Sequence, residues 1–179
     1  VAGIPGFEDE QRRVIAATVG GVRVIDVYVP NGQAVGSDKY EYKLRWFAAL
    51  AGWLAPELAA RPALAVLGDF NIAPDDRDVW DPAEFVDATH VSEPEREALR
   101  EIEAWGLEDV FRRHYDAGGL FSWWDYRAGN FHKGKGMRID LVLATKGLAA
   151  QSVSALVDRN ARKGKQPSDH APVIVDFER

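Results

Sequence analysis

The sequence has 179 residues, with 22 Lys and Arg against 28 Asp and Glu, which leaves a formal net charge of −6. This length predicts one domain, and a hydrophobic fraction of 46% with 28% charged residues is typical of a globular chain and excludes disordered and fibrous proteins. The absence of cysteine excludes disulfides, thiolate metal sites and cysteine nucleophiles, and the absence of a long apolar stretch or a secretory leader predicts a cytoplasmic protein without membrane contact.

Two β-branched segments open the chain, at residues 12–19 and 22–29. Gly20 and Gly21 separate them, and a two-residue turn of this kind needs the positive φ angles that glycine adopts easily. The sequence therefore begins with a predicted hairpin.

A helix is predicted next, because apolar residues recur at helical spacing after Asp38 and Glu41, which resemble a capping pair. Pro56 removes one hydrogen bond near the end of this helix, so we expect a kink or a new first turn there. Residues 63–67 form a short apolar run before Gly68, the pattern of a strand that is buried on both faces.

The second half of the chain alternates between helix and strand patterns. Residues 92–95 form a capping box before a helix that Gly106 ends. Four strands and one exposed loop follow, the strands at 120–126, 138–144, 152–157 and 172–177 and the Gly-, Lys- and His-rich loop at 128–137. Hairpins mixed with helix-separated strands favour an α/β sandwich with helices outside the sheets.

Two pairs of polar residues stand next to predicted strands. Asp69 and Asn71 follow the buried strand directly, at the kind of strand end where open α/β sheets bind ligands, although an Asx turn explains the same pattern. Asp169 and His170 lie between two prolines before the last strand. The prolines restrict this backbone and aim the carboxylate and the imidazole in a defined direction, whereas the alternative is a solvated turn.

Asp140 lies in a strand that is otherwise built for burial, and an unpaired buried carboxylate is costly. A cation, a metal or His170 would compensate it, and a salt bridge to Arg138 is the alternative. In a strand, Trp123 and Trp124 point to opposite faces, so one of them is free to face a ligand while the other joins the core.

Two basic runs directly precede Asp140 and Asp169, where they would place cations beside a phosphate-backbone substrate. The alternative is ordinary solvated surface. The runs consist of His132, Lys133, Lys135 and Arg138, and of Arg159, Arg162, Lys163 and Lys165. His90 and His114 have no such neighbours, and the sequence assigns them no role.

Taken together, these segments resemble the exonuclease III family of apurinic/apyrimidinic endonucleases, within the endonuclease/exonuclease/phosphatase superfamily. The matching motifs follow family order: VAGIPGFEDEQR at 1–12, VYVPNG at 27–32, LGDFNIAP at 67–74, SEPEREALREIEAWGL at 92–107, FSWWDYR at 121–127, GMRIDLVL at 136–143 and PSDHAPV at 167–173. The GDxN and SDH motifs occur throughout the superfamily. FSWWDYR and GxRIDLVL are more specific and separate this family from the phosphoinositide and sphingomyelin phosphodiesterases.

The resemblance implies a four-layered α/β sandwich, with two mixed sheets face to face and helices outside. The 179 residues would form a single domain, the C-terminal two-thirds of the catalytic domain, without its N-terminal part. The implied activity is Mg²⁺- or Mn²⁺-dependent hydrolysis of DNA phosphodiesters by a monomer, with incision 5′ to abasic sites and removal of nucleotides from the 3′ ends of duplex DNA.

The resemblance also implies roles for individual residues. The implied catalytic residues are Tyr28, Asp69, Asn71, Asp140 and His170. The implied substrate-binding residues are Asn31, Trp123, Met137, Arg138 and Ile139, of which the apolar ones line the flipped abasic sugar. The implied metal ligands present in the chain are Asp169, Asp69 and Asn71.

One departure from the family pattern concerns the metal site. The family takes a metal-binding Glu and a helping Asn from two strands upstream of this chain's first residue, and Glu8 and Glu10 do not replace them. If the 179 residues are the whole molecule, we expect little or no nuclease activity. The alternatives to a nuclease are a non-catalytic nucleic-acid-binding regulator, which the retained acids disfavour, and a phosphodiesterase for a lipid or small phosphate ester, which Trp123 and the basic loops disfavour.

Overall fold

The computed structural model describes residues 2–178, so Val1 of the first matched motif and Arg179 lie outside it. The strands are β1 Val14–Val19, β2 Val22–Tyr28, β3 Leu64–Asp69, β4 Leu107–Asp109, β5 Asp140–Thr145, β6 Ser152–Val157 and β7 Val173–Phe177. The helices are α1 Asp38–Ala60, α2 Glu93–Ala104, α3 Val110–His114, α4 Asn130–Lys133 and α5 Lys146–Ala149. Short 3₁₀ turns lie at Asp76–Asp78, Pro82–Phe85, Arg127–Gly129 and Arg159–Arg162.

Five strands form one sheet in the order β1-β2-β3-β5-β4, and β6 and β7 form a separate antiparallel ribbon. Within the large sheet β2 and β3 run parallel, whereas the other neighbours are antiparallel. The predicted opening hairpin is confirmed, with positive φ angles at Gly20 and Gly21. The strands predicted at 63–67, 138–144, 152–157 and 172–177 are confirmed as β3, β5, β6 and β7.

The alternation of side chains along each strand divides the core into two parts. Leu64, Val66 and Leu141 face α1 and α2, whereas Ala65 and Val142 face the other way. That second face packs against Val173, Val175 and Phe177 of β7. The predicted α/β class with two facing sheets is confirmed, and residues 2–178 supply three of the four predicted layers, since Val153 and Ile174 on the ribbon are exposed.

Helix α1 differs from its prediction at both ends. Its cap is Ser37, whose hydroxyl accepts a hydrogen bond from the Tyr40 amide at 3.2 Å, so the cap precedes the predicted Asp38 by one residue. The helix continues through Pro56 to Ala60, so the new first turn that the sequence offered as one outcome does not form. Pro56 lies on the exposed side, where water can satisfy the Gly52 carbonyl that the missing N–H leaves free. The predicted capping box of Ser92 and Glu95 is confirmed.

The strand predicted at 120–126 is wrong, because this segment makes only isolated bridges to two different parts of the chain. Trp123 and Met137 exchange two backbone hydrogen bonds of 2.9 Å, and the Trp124 amide donates to the Asp169 carbonyl at 3.0 Å. Trp124 is nevertheless buried while Trp123 is partly exposed, as the alternation argument predicts. The loop predicted at 128–137 contains the short helix α4.

The predicted substrate-binding role of Arg138 is also corrected. Its guanidinium is buried and contacts Asp78 Oδ1 through Nε at 2.6 Å and Asp109 Oδ2 through Nη1 at 2.7 Å. Both carboxylates belong to other segments, so Arg138 ties a 3₁₀ turn and the end of β4 to the start of β5. The alternative salt bridge between Arg138 and Asp140 is likewise not formed.

The stability of the fold should depend on pH through Glu103, which lies near the end of α2. Burial, and next the charge of Asp109, raises the pKa of Glu103 from 4.5 to about 7. The folded chain therefore keeps this proton at pH values where the unfolded chain has released it, and the free energy of unfolding falls as pH rises through this window. We expect Glu103→Gln to weaken that dependence and to raise the free energy of unfolding above neutral pH by about 1–2 kcal/mol.

Urea denaturation at several pH values between about 5 and 8 measures this effect. Glu101→Gln changes an exposed residue of the same helix and serves as the control. Identical pH profiles for Glu103→Gln and the unmodified protein would contradict the prediction.

In the part of the chain that the structure describes, no helix has the length and apolar character needed to cross a bilayer.

Candidate active site

The register of the large sheet brings three predicted site residues together. Tyr28 pairs with Asp69 across β2 and β3, and Asp69 pairs with Asp140 across β3 and β5. Because paired residues point to the same face, all three side chains lie on the face that packs against the ribbon. Gly68 allows the backbone of β3 to lie close to that of β2, because a Cβ at this position would overlap the Val27 carbonyl. Its φ of 126° is also one that glycine adopts more easily than other residues.

Asp69 and Asn71 hold each other at the end of β3. The backbone N–H of Asn71 donates to Asp69 Oδ1 at 2.8 Å, and its side-chain Nδ2 donates to Asp69 Oδ2 at 3.0 Å. Asn71 has a φ of 49°, a left-handed conformation that asparagine tolerates better than most residues. The Asx turn, which the sequence offered as the alternative to a ligand site, is therefore present. It orients both oxygens of the Asp69 carboxylate, so the turn is part of the candidate site.

Asp140 is paired with His170, as one of the sequence alternatives predicts. His170 Nδ1 lies 2.9 Å from Asp140 Oδ2 and 3.1 Å from Oδ1. Ser122 supports the strand start, since its hydroxyl accepts hydrogen bonds from the backbone amides of Ile139 at 3.2 Å and Asp140 at 3.1 Å. The segment before β7 thus delivers its imidazole to the carboxylate at the start of β5.

The electrostatics of this cluster favour a bound cation. Burial, and then the nearby charge of Asp140, raises the pKa of Asp69 from 3.8 to about 7. Burial alone would lower the pKa of His170, but the hydrogen bond and charge of Asp140 outweigh it and raise that pKa. The cluster gathers Asp69, Asp140 and Asp169 around one histidine, an excess of acidic groups that a bound cation would stabilise.

The donor set fits a hard divalent cation held by few protein ligands. Carboxylate oxygens of Asp69 and Asp169 and the amide oxygen of Asn71 are ligand types that Mg²⁺ prefers. Among residues 2–178 no three acidic or histidine side chains converge closely enough to hold a metal ion by themselves. Mg²⁺ commonly binds through one or two carboxylates together with water and substrate phosphate, so such convergence is not required.

Asp169 is held by Trp123, whose Nε1 donates to its Oδ2 at 3.0 Å. Met137 and Ile139 pack against Trp123, but both are almost completely buried. The predicted wall of three apolar residues is therefore corrected: Trp123 alone is partly exposed, and Met137 and Ile139 support it from the core.

The basic run before Asp169 contributes to the structure of the site. Arg162 is buried, donates from Nη1 to the Asp169 carbonyl at 2.6 Å and places its guanidinium carbon 4.6 Å from the Phe131 ring centroid. It therefore shapes the segment that carries Asp169 and His170. In the other run, Lys135 lies 3.9 Å above the Trp80 ring. The exposed basic residues of the two runs are His132, Lys133, Arg159, Lys163 and Lys165.

A cleft of about 790 Å³ opens beside Tyr28 and Asp69 and is also lined by residues 9–15. Arg13 borders it, with its guanidinium carbon 4.8 Å from the Tyr28 ring centroid and its Nη1 donating to the Tyr28 carbonyl at 3.3 Å. Arg12 is exposed at the same cleft. The cleft therefore places two arginines next to the strand ends, among the carboxylates of Asp9, Glu10, Asp26 and Asp69.

Sequence reasoning missed a buried ion pair beneath Asn71. Lys43 Nζ bonds to Glu95, donates to the Asn71 carbonyl at 2.7 Å and reaches the Asn31 carbonyl at 3.2 Å. Burial lowers the pKa of Lys43, and the charge of Glu95 offsets this only in part. A signal was present, because Lys43 occupies the buried stripe of α1 between Tyr40 and Phe47.

His90, to which the sequence assigned no role, completes this network. Its Nδ1 lies 2.6 Å from the Asn71 carbonyl and its Nε2 lies 3.3 Å from Asn31 Nδ2. Burial, and then the charge of Lys43, lowers the pKa of His90 to about 4, so the ring is neutral near pH 7. No local sequence pattern predicts these contacts, because Asn31, Asn71 and His90 come from separate loops.

Comparison with known proteins gives consistent matches. The sequence profile of the endonuclease/exonuclease/phosphatase family matches residues 3–170. Exodeoxyribonuclease III of Haemophilus influenzae is 32% identical over 182 residues, which cover 95% of this chain and 68% of that protein. The chain spans between 62% and 68% of the length of the curated relatives it matches.

Two solved structures are similar throughout the chain. A 3′ phosphatase from Neisseria, bound to a product DNA hairpin, has a TM-score of 0.97 at 42% identity and covers 99% of this chain and 70% of that one. An AP endonuclease from Archaeoglobus fulgidus has a TM-score of 0.93 at 34% identity and covers 98% of this chain and 69% of that one.

Proposed function

Because this chain belongs to the endonuclease/exonuclease/phosphatase family, and within it to the exonuclease III and AP endonuclease group, we propose that the whole protein is a DNA-repair hydrolase that cleaves phosphodiester bonds. The observation that carries the proposal is the meeting of Asp69, Asn71 and the Asp140–His170 pair at one end of the sheet. General acid–base groups and an oriented amide are what hydrolysis of a phosphodiester requires.

Asp69 is the proposed base for the attacking water. A phosphodiester anion repels hydroxide, so the nucleophile is best generated within the site by a carboxylate that accepts the proton from water. The pKa of Asp69, raised to about 7 by burial and by Asp140, makes it a stronger base than an exposed carboxylate. Asn71 fixes the direction of both Asp69 oxygens and leaves its own amide oxygen facing Asn31.

His170 supplies positive charge beside the phosphate. Asp140 favours the protonated imidazole and fixes its ring orientation through Nδ1, which leaves Nε2–H directed away from the carboxylate. An imidazolium in this position stabilises the negative charge that accumulates on the phosphate oxygens in the transition state. Tyr28 lies next to Asp69 in the register and offers a hydroxyl from the neighbouring strand.

Mg²⁺ or Mn²⁺, held by Asp69 and Asp169 with Asn71, would supply Lewis-acid stabilisation of the phosphate and the leaving oxygen. Trp123 is the proposed apolar surface for a baseless sugar, because an abasic nucleotide loses little stacking or pairing when it leaves the helix. The named activities of the relatives, an exodeoxyribonuclease, a 3′ phosphatase bound to DNA and an AP endonuclease, support incision 5′ to abasic sites and processing of 3′ ends.

The test is cleavage of a labelled duplex with one abasic site by the native protein that carries this chain. We expect incision 5′ to the abasic site and shortening of 3′ ends with Mg²⁺ or Mn²⁺, and neither product with EDTA. Cleavage that persists in EDTA would remove the metal from the proposal. Tight DNA binding without cleavage would favour a non-catalytic regulator, and hydrolysis of a small phosphate diester with no action on DNA would favour a different phosphodiesterase.

A further inference from the structure

His90 connects the backbone of Asn71 to the side-chain amide of Asn31, and the two residues follow different strands. Its Nδ1 lies 2.6 Å from the Asn71 carbonyl oxygen, and its Nε2 lies 3.3 Å from Asn31 Nδ2. Asn31 follows β2 and Asn71 follows β3, whereas His90 belongs to the loop before α2. One imidazole ring therefore bridges two loops that border Asp69.

The partners decide which ring nitrogen carries the hydrogen. A carbonyl oxygen only accepts, so Nδ1 donates to Asn71 and Nε2 is left to accept from the Asn31 amide. Asn31 Oδ1 accepts from the Gln33 backbone amide at 3.1 Å, which is consistent with Nδ2 pointing to the ring. Each end of the Asn31 side chain is thus assigned by a separate partner.

Hydrogen bonds join His90, Asn31 and Asn71 in a ring, and Asn71 in turn bonds to Asp69, the proposed base. Asn31 Nδ2 also lies 3.3 Å from Asn71 Oδ1, and Asn71 Nδ2 donates to Asp69 Oδ2 at 3.0 Å. Loss of the ring would remove the acceptor that holds one hydrogen of Asn31 Nδ2. The Asn31 amide would then keep its contacts with the Gln33 backbone amide and with Asn71 Oδ1 but lose the third, and its hydrogen bond to Asn71 would loosen.

The surrounding fold does not depend on this ring alone. Lys43 donates to the same Asn71 carbonyl at 2.7 Å, so that carbonyl keeps a partner when the imidazole is removed. The backbone amide of His90 donates to Glu95 Oε1 at 3.1 Å and holds the loop independently of the side chain. The backbone φ at this position is 76°, which glycine and asparagine adopt with less strain than histidine.

We propose that His90 is a positioning residue of the active site, which sets the orientation of the Asn31 amide and, through it, the hydrogen bond that Asn71 Oδ1 accepts, while Asn71 Nδ2 is held by the Val29 carbonyl and Asp69. The inference rests on the proposed function, because it assigns these amides to the neighbourhood of the scissile phosphate. His90 acts through Asn31 and Asn71 and has no contact of its own with the reacting atoms.

Three substitutions separate the two hydrogen bonds of the ring. His90→Gly removes both and suits the backbone angle. His90→Gln places a carbonyl oxygen where Nε2 lies and so keeps an acceptor for Asn31. His90→Asn places an amide nitrogen where Nδ1 lies and so keeps only the donor to Asn71, which Lys43 already duplicates.

For abasic-duplex cleavage we expect kcat to fall about tenfold in His90→Gly and His90→Asn and to stay within about threefold of the unmodified protein in His90→Gln, with KM nearly constant throughout. His114→Asn changes a histidine that bonds to Ser152, remote from these loops, and should leave kcat unchanged. A uniform loss in all three His90 variants, in proportion to a fall in Tm, would show a merely structural role and overturn the proposal. So would an unchanged kcat in His90→Gly.

A second measurement does not use activity. Long-range ¹H–¹⁵N spectra should show hydrogen on Nδ1 of His90, and the side-chain NH₂ of Asn31 should exchange about tenfold faster in His90→Gly than in the unmodified protein, with recovery in His90→Gln. Unchanged exchange in His90→Gly would overturn the proposal. If the unmodified protein fails to cleave DNA, the proposed function fails, and the exchange rates still decide whether His90 orients Asn31.

Discussion

Replacing Asp69 with Asn should lower kcat for DNA cleavage by about a thousandfold and change the Kd for DNA by less than about threefold. The substitution keeps the size of the side chain and retains an oxygen that accepts from the Asn71 backbone amide. It removes the negative charge and the ability to take a proton from water. Because the loss concerns a group that acts in the transition state, it appears in kcat while ground-state DNA binding remains.

The matched control for this prediction is Asp26→Asn. Asp26 is an exposed acid on the same face of the large sheet, two residues before Tyr28, and it lies outside the cluster of Asp69, Asp140 and His170. We expect its kcat to equal that of the unmodified protein. Single-turnover cleavage and fluorescence anisotropy give the rate and the Kd. An Asp69→Asn protein with more than about a tenth of the original kcat would exclude Asp69 as the general base.

The second large effect concerns stability. Arg138→Met should lower the free energy of unfolding by about 3–5 kcal/mol, because it leaves the buried carboxylates of Asp78 and Asp109 without their shared partner. Arg112 also pairs with Asp78, which keeps the expected loss within this range. Arg138→Lys should lower the free energy of unfolding by less than Arg138→Met, because lysine retains the positive charge. It still lowers it, because lysine lacks the forked geometry that reaches two carboxylates.

Arg127→Met is the control for Arg138→Met, since Arg127 also pairs with an aspartate but its side chain is 88% exposed. An exposed pair of this kind contributes little to stability, because water screens the two charges. Urea denaturation of both variants measures the difference. If Arg138→Met unfolds like the unmodified protein and instead raises KM for DNA, Arg138 binds substrate after all and the structural assignment is wrong.

Much of the candidate site follows from local sequence patterns. Apolar alternation locates β3 and β5, and a polar residue at the edge of each strand places Asp69 and Asp140 at neighbouring positions once the strands pair. The Asp69–Asn71 turn is equally local, because it joins residues two positions apart. These features depend on interactions within a few residues, so the order of amino acids is enough to predict them.

Partner choice among the buried charges follows different physics. Arg138 binds Asp78 and Asp109 rather than Asp140, and Arg162 holds the Asp169 carbonyl rather than a substrate phosphate. In sequence both arginines are simply members of basic runs. The energy of a buried charge depends on what surrounds it in space, and those neighbours are supplied by segments tens of residues away.

The sequence by itself determined the α/β class, the opening hairpin, the main strands and the residues at the strand ends, because periodicity and turn chemistry act over short stretches of chain. Only the tertiary structure decided that 120–126 is not a strand, that Lys43 pairs with Glu95 and that His90 bridges Asn31 and Asn71. Each of these depends on which distant backbone or side-chain group satisfies a buried donor or acceptor, and that is set only when the segments have packed together.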